Sequence, residues 1–285
     1  MKIGIYARGL TERSGGVKVY INNLTSAIIE NLSKDDELFI FHNDTKKLFP
    51  EKSNVKEIIL NSNSKLLTDL VKAPKIINSY NLDVILFPKN VIPFGIKSKK
   101  VLTIHDLAYY IPKYEAYKFL DTIYMKIMIK SSVKRADRII AVSQNTKDDL
   151  INILNVKKDK IQVVYEAAND NFKIIKSKSI LNKIKSKYSL NNPFIFYAGS
   201  ITPRKNIKRL VNAFNKIENK NIDLVITGNK LWNNKEEMQL IKNNPKIKLL
   251  GLVPESDLVP LYNSALFYIY PSLYEGFGLP ILEAQ

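Results

Sequence analysis

The sequence predicts an α/β protein built from two parallel-sheet domains, and three observations carry that expectation. Short β-rich runs alternate with longer amphipathic ones, glycine-bearing turns follow several of the runs, and an acid-free, lysine-rich stretch divides the pattern in two. At 285 residues the chain is long enough for both domains to bury their own cores.

The first domain is expected over residues 1–168. Strands are predicted at 2–6, 38–41, 55–60, 84–87, 101–104, 138–141 and 161–164, where Val, Ile, Leu and Phe run together over strand length. Helices are predicted at 17–31, 65–79, 116–134 and 144–154, where the apolar positions recur at helical spacing. Between Lys173 and Lys187 lie six lysines and no acid, so residues 169–192 read as the interdomain crossing, with a solvated helix inside it. The second domain, 193–285, repeats the pattern. Its strands fall at 194–197, 222–227, 246–249 and 266–269, and its helices at 206–218, 233–242 and 255–262. Sheets of this kind bind ligands at the carboxyl ends of their strands. Gly15, Gly16 and His105 all follow strands on that side.

Composition removes several function classes. No cysteine is present, which excludes disulfides and thiolate metal sites and fits a reducing cytoplasm. No apolar run approaches the length of a membrane-spanning helix. Net charge is +17, almost all from lysine. Nucleic acid, an anionic membrane and phosphorylated small molecules would each suit that charge, but no interleaved basic and aromatic motif points to nucleic acid. Lys126, Lys130 and Lys134 recur every fourth residue, opposite Leu120, Ile123 and Ile127. That pattern is expected either as an ordinary helix with a solvated face or as a surface resting on anionic lipid.

The chemistry concentrates near the end of the chain. Glu275 and Glu283 flank a turn that leads into a helix, with Pro280 suited to the first helical position. The backbone N–H groups of Gly276, Phe277, Gly278 and Leu279 would then meet an anion at the helix start. Arg204 and Lys205 follow Gly199-Ser200 and precede the helix begun near Asn206, and two cations beside a helix N-terminus match a diphosphate. Gly15-Gly16 lets backbone approach a ligand, although turns use such pairs constantly. No Gly-x-Gly-x-x-Gly is present, which argues against a nicotinamide site. From position alone His105 is as well explained by structure as by function, and Asp106 is expected to orient the loop or the ring.

The motifs Ser14-Gly15-Gly16, Thr103-Ile104-His105-Asp106-Leu107, Val142-Ser143, Gly199-Ser200 with Arg204-Lys205-Asn206, Gly251-Leu252-Val253 and the pair Glu275 and Glu283 with seven residues between them stand in one order. Together they resemble the retaining, nucleotide-sugar-dependent glycosyltransferases of family 4, with the GT-B fold. The resemblance implies two Rossmann-like domains facing across a cleft, the first binding the acceptor and the second the donor. It implies that Glu275 contacts the donor sugar, Glu283 the nucleotide ribose, Arg204 and Lys205 the diphosphate, and Leu252 and Val253 the base. Gly199, Ser200, Asn206, Thr227 and Gly228 are implied as further donor-binding positions, and His105 as an active-site residue near the sugar. Where many relatives carry Asn-Gly after the last first-domain strand, this chain has Tyr165-Glu166-Ala167-Ala168-Asn169. No Asp-x-Asp metal motif is seen, so neither metal nor cofactor is expected.

Relatives continue past the helix that Gln285 ends, so the resemblance implies a C-terminally truncated chain with an incomplete second domain. The stretch Pro112-Lys113-Tyr114-Glu115 after the His-Asp-Leu loop is similar to members that build bacterial surface polysaccharides, often mannosyltransferases. The implied activity is hexosyl transfer with retention from a nucleotide-diphospho sugar, GDP-mannose first, to a saccharide or lipid-linked acceptor. The implied place is the cytoplasm or the inner face of the plasma membrane. A sugar-nucleotide epimerase on the same fold, or an inactive fragment serving as an interaction domain, remain open as other readings.

Overall fold

Among the described residues of a computed structural model, eleven short runs rich in β-branched and aromatic residues pair into two wholly parallel sheets. It describes residues 1–11, 15–44, 46–60, 71–114, 117, 119–218, 221–229 and 235–285. The chain divides into two units, Met1–Tyr110 with Leu120–Glu166, and Ile111–Phe119 with Ala167–Gln285.

The first unit holds strands β1 (Lys2–Tyr6), β2 (Glu37–His42), β3 (Val55–Ile59), β4 (Val84–Phe87), β5 (Lys99–Ile104), β6 (Arg138–Ala141) and β7 (Ile161–Val163). Their order across the sheet is β3-β2-β1-β4-β5-β6-β7. Successive residues of β2 show why helices cover both faces: Leu38 and Ile40 pack with Ile5 and Ile21, whereas Phe39 and Phe41 pack with Ile77, Ile85 and Phe87. Helix α1 (Gly16–Glu30) supplies Ile21 and Ile29 to the first layer. Helices α2 (Ala73–Asn78), α3 (Phe119–Arg135) and α4 (Gln144–Leu154) supply the second. Ser143 caps α4, its Oγ accepting from the Thr146 N–H at 3.0 Å, and Asn155 ends the helix in the left-handed region.

The second unit holds α5 (Lys178–Lys187), β8 (Phe194–Ala198), α6 (Ile207–Phe214), β9 (Asp223–Thr227), α7 (Lys235–Lys242), β10 (Ile247–Gly251), α8 (Glu255–Ser264), β11 (Phe267–Tyr268) and α9 (Leu279–Ala284). Sheet order is β10-β9-β8-β11. Again alternate residues separate, Ile195 and Tyr197 to one core and Phe194 and Phe196 to the other. In both sheets the order reverses beside the first strand, between β1 and β4 and between β8 and β11. Those reversals are the places where an open α/β sheet leaves a crevice at its carboxyl edge.

Several expected boundaries shift. The helix predicted at 206–218 is confined to Ile207–Phe214 because Asn206 sits at φ +60° and Asn215 closes the last turn. Pro280 takes the second helical position, not the first, since the left-handed Gly278 caps α9 and Leu279 opens it. Within 169–192, α5 is not wholly solvated: Ile184 is buried in the second unit's core, while its lysines stay outside. On α3 the lysines do not oppose Leu120, Ile123 and Ile127. Those three side chains are exposed with Phe119 and Tyr124, and so are Lys130 and Lys134, because the buried face is Met128, Ile129, Ser132 and Val133. At about 100° per residue, positions 123, 127, 130 and 134 all fall on one side. Ser14 and the starts of the helices predicted at 65–79, 116–134 and 233–242 lie outside the described residues, as does Glu115.

Candidate functional site

In the second unit the sequence-predicted residues gather along the carboxyl edge of the sheet. Main-chain bonds lock the strand ends into a row: Gly199 N–H donates to Thr227 O at 2.9 Å and Gly228 N–H to Gly251 O at 2.8 Å. Gly228 is required there, since its φ is +142° and a Cβ would lie 1.9 Å from the Gly199 carbonyl oxygen. On the other side of β8 the chain turns through Pro203–Lys205 and is tied to the segment after β11. Leu273 N–H donates to Arg204 O at 2.9 Å, and Asn206 Nδ2 donates to Pro271 O at 3.0 Å. The crevice at the β8–β11 reversal is thereby given two fixed walls.

Arg204, Lys205 and Glu275 meet in it. Arg204 Nη1 lies 2.7 Å from Glu275 Oε2, and Lys205 Nζ lies 2.5 Å from Glu275 Oε1. Arg204 also donates to Tyr274 O at 2.6 Å, and Lys205 to the Tyr270 hydroxyl at 3.3 Å. The three charged side chains are only 11 to 18 % exposed. Burial pushes the Glu275 carboxyl up, but the charges of Lys205 and Arg204 and the bonds they donate outweigh it and hold the group below its ordinary range. The result is a cluster with one more cation than anion, a preformed place for further negative charge.

Glu283 sits in different surroundings. Its Oε2 accepts from Tyr262 at 3.0 Å, and no cation is near enough to pair with it among the described residues. Burial raises its carboxyl, the Tyr262 bond opposes this, and Glu255 adds to the rise. Tyr197, Tyr268 and Tyr270 are likewise pushed up by burial and stay neutral donors, with Tyr197 bonded to Ser200 O at 3.2 Å and Tyr268 to Ala198 O at 3.2 Å. A carboxylate with a raised pKa weakens the fold once it ionises: its favourable term is full below the ordinary value near 4.5 and is lost as pH rises through the folded value. Glu283→Gln is therefore expected to raise the melting temperature of the protein at pH 7, which a thermal melt of the two proteins side by side checks.

Some predicted positions serve the frame. Thr227 Oγ1 donates to Gly251 O at 2.7 Å and is buried, and the Asn206 amide is spent on Pro271. Leu252 is exposed at the end of β10, Val253 packs against the core, and Gly276 is buried beside Glu275.

In the first unit, Gly15 and Gly16 open α1 with no side-chain cap, and a Cβ on either would meet nothing within 4 Å. His105 follows β5. Its Nδ1 lies 3.0 Å from Glu166 Oε1 and its Nε2 lies 2.9 Å from Pro88 O. Tyr20 stands edge-on to the ring at 4.7 Å. Asp106 accepts from Ala108 N–H at 3.0 Å, so it shapes the loop, and the carboxylate on the ring is Glu166. Sequence reasoning noted Glu166 only as a departure from the usual Asn-Gly. A carboxylate at a strand's carboxyl end was the signal that could have singled it out. Tyr262 and Tyr270, the partners of Glu283 and Lys205, carried no such signal.

Comparison with known proteins finds two family models along the chain. The model described as Glycosyltransferase Family 4 matches residues 14–172, and that described as Glycosyl transferases group 1 matches residues 180–285. The chain is 29 % identical over 274 residues to the O-antigen chain mannosyltransferase B of Escherichia coli, an alignment covering 88 % of this chain and 71 % of that one. It is 28 % identical to the serotype-specific mannosyltransferase WbdA of the same species, over 73 % of this chain and 26 % of that one. Among solved structures, HepE of Anabaena in complex with UDP-glucose superposes with a TM-score of 0.74 at 17 % identity, over 100 % of this chain and 78 % of that one.

Proposed function

The chain belongs to glycosyltransferase family 4, and from that premise we propose that it moves a sugar from a nucleotide-diphospho sugar to a saccharide or lipid-linked saccharide in surface-polysaccharide synthesis. Mannose, carried by GDP, is the first candidate because two of its relatives are named mannosyltransferases. The observation that carries the reading is the Arg204–Lys205–Glu275 cluster at the β8–β11 reversal.

In that reading the diphosphate takes the two cations that Glu275 holds. As the bond from the anomeric carbon to phosphate breaks, negative charge grows on the phosphate oxygens, and Arg204 and Lys205 are already aimed at it. Positive charge grows on the sugar, for which Glu275 keeps a carboxylate nearby. The acceptor oxygen bonds to the same face of the anomeric carbon, and its proton passes to the departing phosphate. Configuration is thus retained. Glu283, eight residues on, receives ribose hydroxyls, and their bonds offset the cost of its burial. Gly199, Ser200, Gly228, Leu252, Val253 and the turn from Gly276 to Leu279 complete the donor pocket in this reading, with Gly15, Gly16 and His105 of the first unit serving the transfer.

The test is a thermal-shift screen of the full chain with GDP-mannose, UDP-glucose and UDP-N-acetylglucosamine, followed by proton NMR of the product. GDP-mannose is expected to give the largest shift and an α-linked mannoside. A β-linked product would contradict retention, and a larger shift from a UDP-sugar would contradict the donor.

A second reading concerns location. Among the described residues no helix is long and apolar enough to cross a membrane. The exposed side of α3, however, is apolar over its first turns, with Phe119, Leu120, Ile123, Tyr124 and Ile127, and basic over its last, with Lys130 and Lys134. That composition suits peripheral contact with an anionic bilayer at the inner face of the plasma membrane. Vesicles containing phosphatidylglycerol should sediment the protein in a salt-sensitive way, and Leu120→Asp with Ile127→Asp should weaken this about tenfold or more. Equal binding to neutral vesicles would contradict it.

A further inference from the structure

His105 is fixed by its main chain at both ends. Its N–H donates to Asn90 Oδ1 at 3.0 Å, and its carbonyl accepts from Thr146 Oγ1 at 3.0 Å. The ring is held as well, with His105 12 % and Glu166 10 % exposed. Nε2 faces the Pro88 carbonyl oxygen, which can only accept, so that nitrogen carries hydrogen. Nδ1 faces the Glu166 carboxylate, which also only accepts when ionised. A ring set between two acceptors satisfies both when each nitrogen is an N–H. The other groups around it do not compete for these bonds. Tyr20, packed edge-on from α1, has its hydroxyl 3.3 Å from Thr103 Oγ1, and Asp106 is turned to its own loop. Burial pushes the Tyr20 phenol up, with the Thr103 bond opposing and the Glu166 charge adding.

The second histidine provides an internal contrast. His42 also meets a glutamate, with Nε2 at 3.0 Å from Glu57 Oε2, but its Nδ1 accepts from the Asp44 N–H at 3.2 Å. That ring has one bare nitrogen.

The geometry points to Glu166 as a positioning residue that keeps His105 protonated on both ring nitrogens, so that His105 meets a ligand as a hydrogen-bond donor and never as a base. The ligand groups it fits are oxygen acceptors, a sugar hydroxyl or a phosphate oxygen, that share or replace the Pro88 carbonyl at Nε2. With no base at this ring, the acceptor's proton leaves by another route, for which the reaction proposed above names the departing phosphate. This consequence rests on the transfer reaction proposed above. The protonation pattern does not.

The experiment is nitrogen-15 NMR of the full chain labelled at histidine, with the two rings distinguished by His105→Gln. At pH 7 the expected spectrum has N–H signals from both His105 nitrogens and one bare nitrogen on His42. Glu166→Gln should leave His105 with a bare Nδ1, because the amide can donate to it. The same variant should lower kcat for transfer about 10- to 100-fold, the range for a hydrogen bond to a charged group, with the donor KM little changed. A bare nitrogen on wild-type His105 overturns the inference whether or not any variant folds, and so does an unchanged ring spectrum in Glu166→Gln. The expected spectrum in a wild-type chain that transfers no sugar would support the inference and count against the transfer reaction alone.

Discussion

Lys205→Ala is expected to lower kcat for sugar transfer by about 10²- to 10³-fold, the usual loss when one preorganised donor to a developing oxyanion is removed. The expectation follows from where Lys205 is held. Its side chain is 11 % exposed, its ammonium is bonded to Glu275 and Tyr270, and its backbone lies in the short turn that the β11 segment clamps from the other side. Once the diphosphate has taken Lys205 from Glu275, as proposed above, the ammonium is in place before charge appears on the leaving phosphate. The loss should fall on kcat more than on KM, since the interaction strengthens as the bond breaks. Steady-state kinetics with the donor varied would reveal it, and a variant that lost only donor affinity would place Lys205 outside the reacting centre.

Glu275→Ala should act on stability before it acts on rate. It leaves Arg204 and Lys205 largely buried with no carboxylate between them, a change that typically costs about 3–5 kcal/mol. A nucleotide diphosphate should restore much of that, so its stabilising shift in the variant is expected to exceed the shift in the wild type. The pH dependence has a definite sign. The Glu275 carboxyl is held below its ordinary value of 4.5, so its contribution is full above that value and is lost as pH falls through the folded one. Urea unfolding of the wild type should weaken on going from about pH 6 to about pH 3, and Glu275→Gln should flatten that limb. A variant as stable as the wild type at neutral pH would mean that the two cations do not depend on Glu275.

Most of the fold was legible because a parallel strand buried on both faces writes itself as a near-continuous apolar run. Phe194–Ala198 and Glu37–His42 are such runs, and their alternate residues enter different cores. The ends of elements were less legible. The short span of α6 depends on Asn206 adopting a left-handed backbone, which a sequence permits without requiring. The exposed side of α3 was misjudged because four-residue spacing identifies neighbours along a helix without saying which side the sheet covers.

The candidate site divides in the same way. Residue type and position after a strand pointed to Arg204, Lys205 and Glu275, whereas His105 was singled out only by the family resemblance. They could not tell whether a polar group faces a ligand or its own frame. Thr227 and Asn206 turn out to bond the neighbouring strand ends, and of the two roles expected of Asp106, the loop or the ring, it takes the loop while Glu166 holds the ring. Such assignments depend on contacts between residues 24 to 65 positions apart, which local pattern does not encode.

The most direct measurement is calorimetric titration of the full chain with GDP and with guanosine, repeated on Arg204→Ala and Lys205→Ala. If the second unit grips a diphosphate with those two cations, GDP should bind the wild type at least about a hundredfold more tightly than guanosine, as expected of two charge-assisted contacts, and each substitution should remove much of that difference. Equal affinities for GDP and guanosine, or a GDP affinity unchanged in both variants, would contradict it.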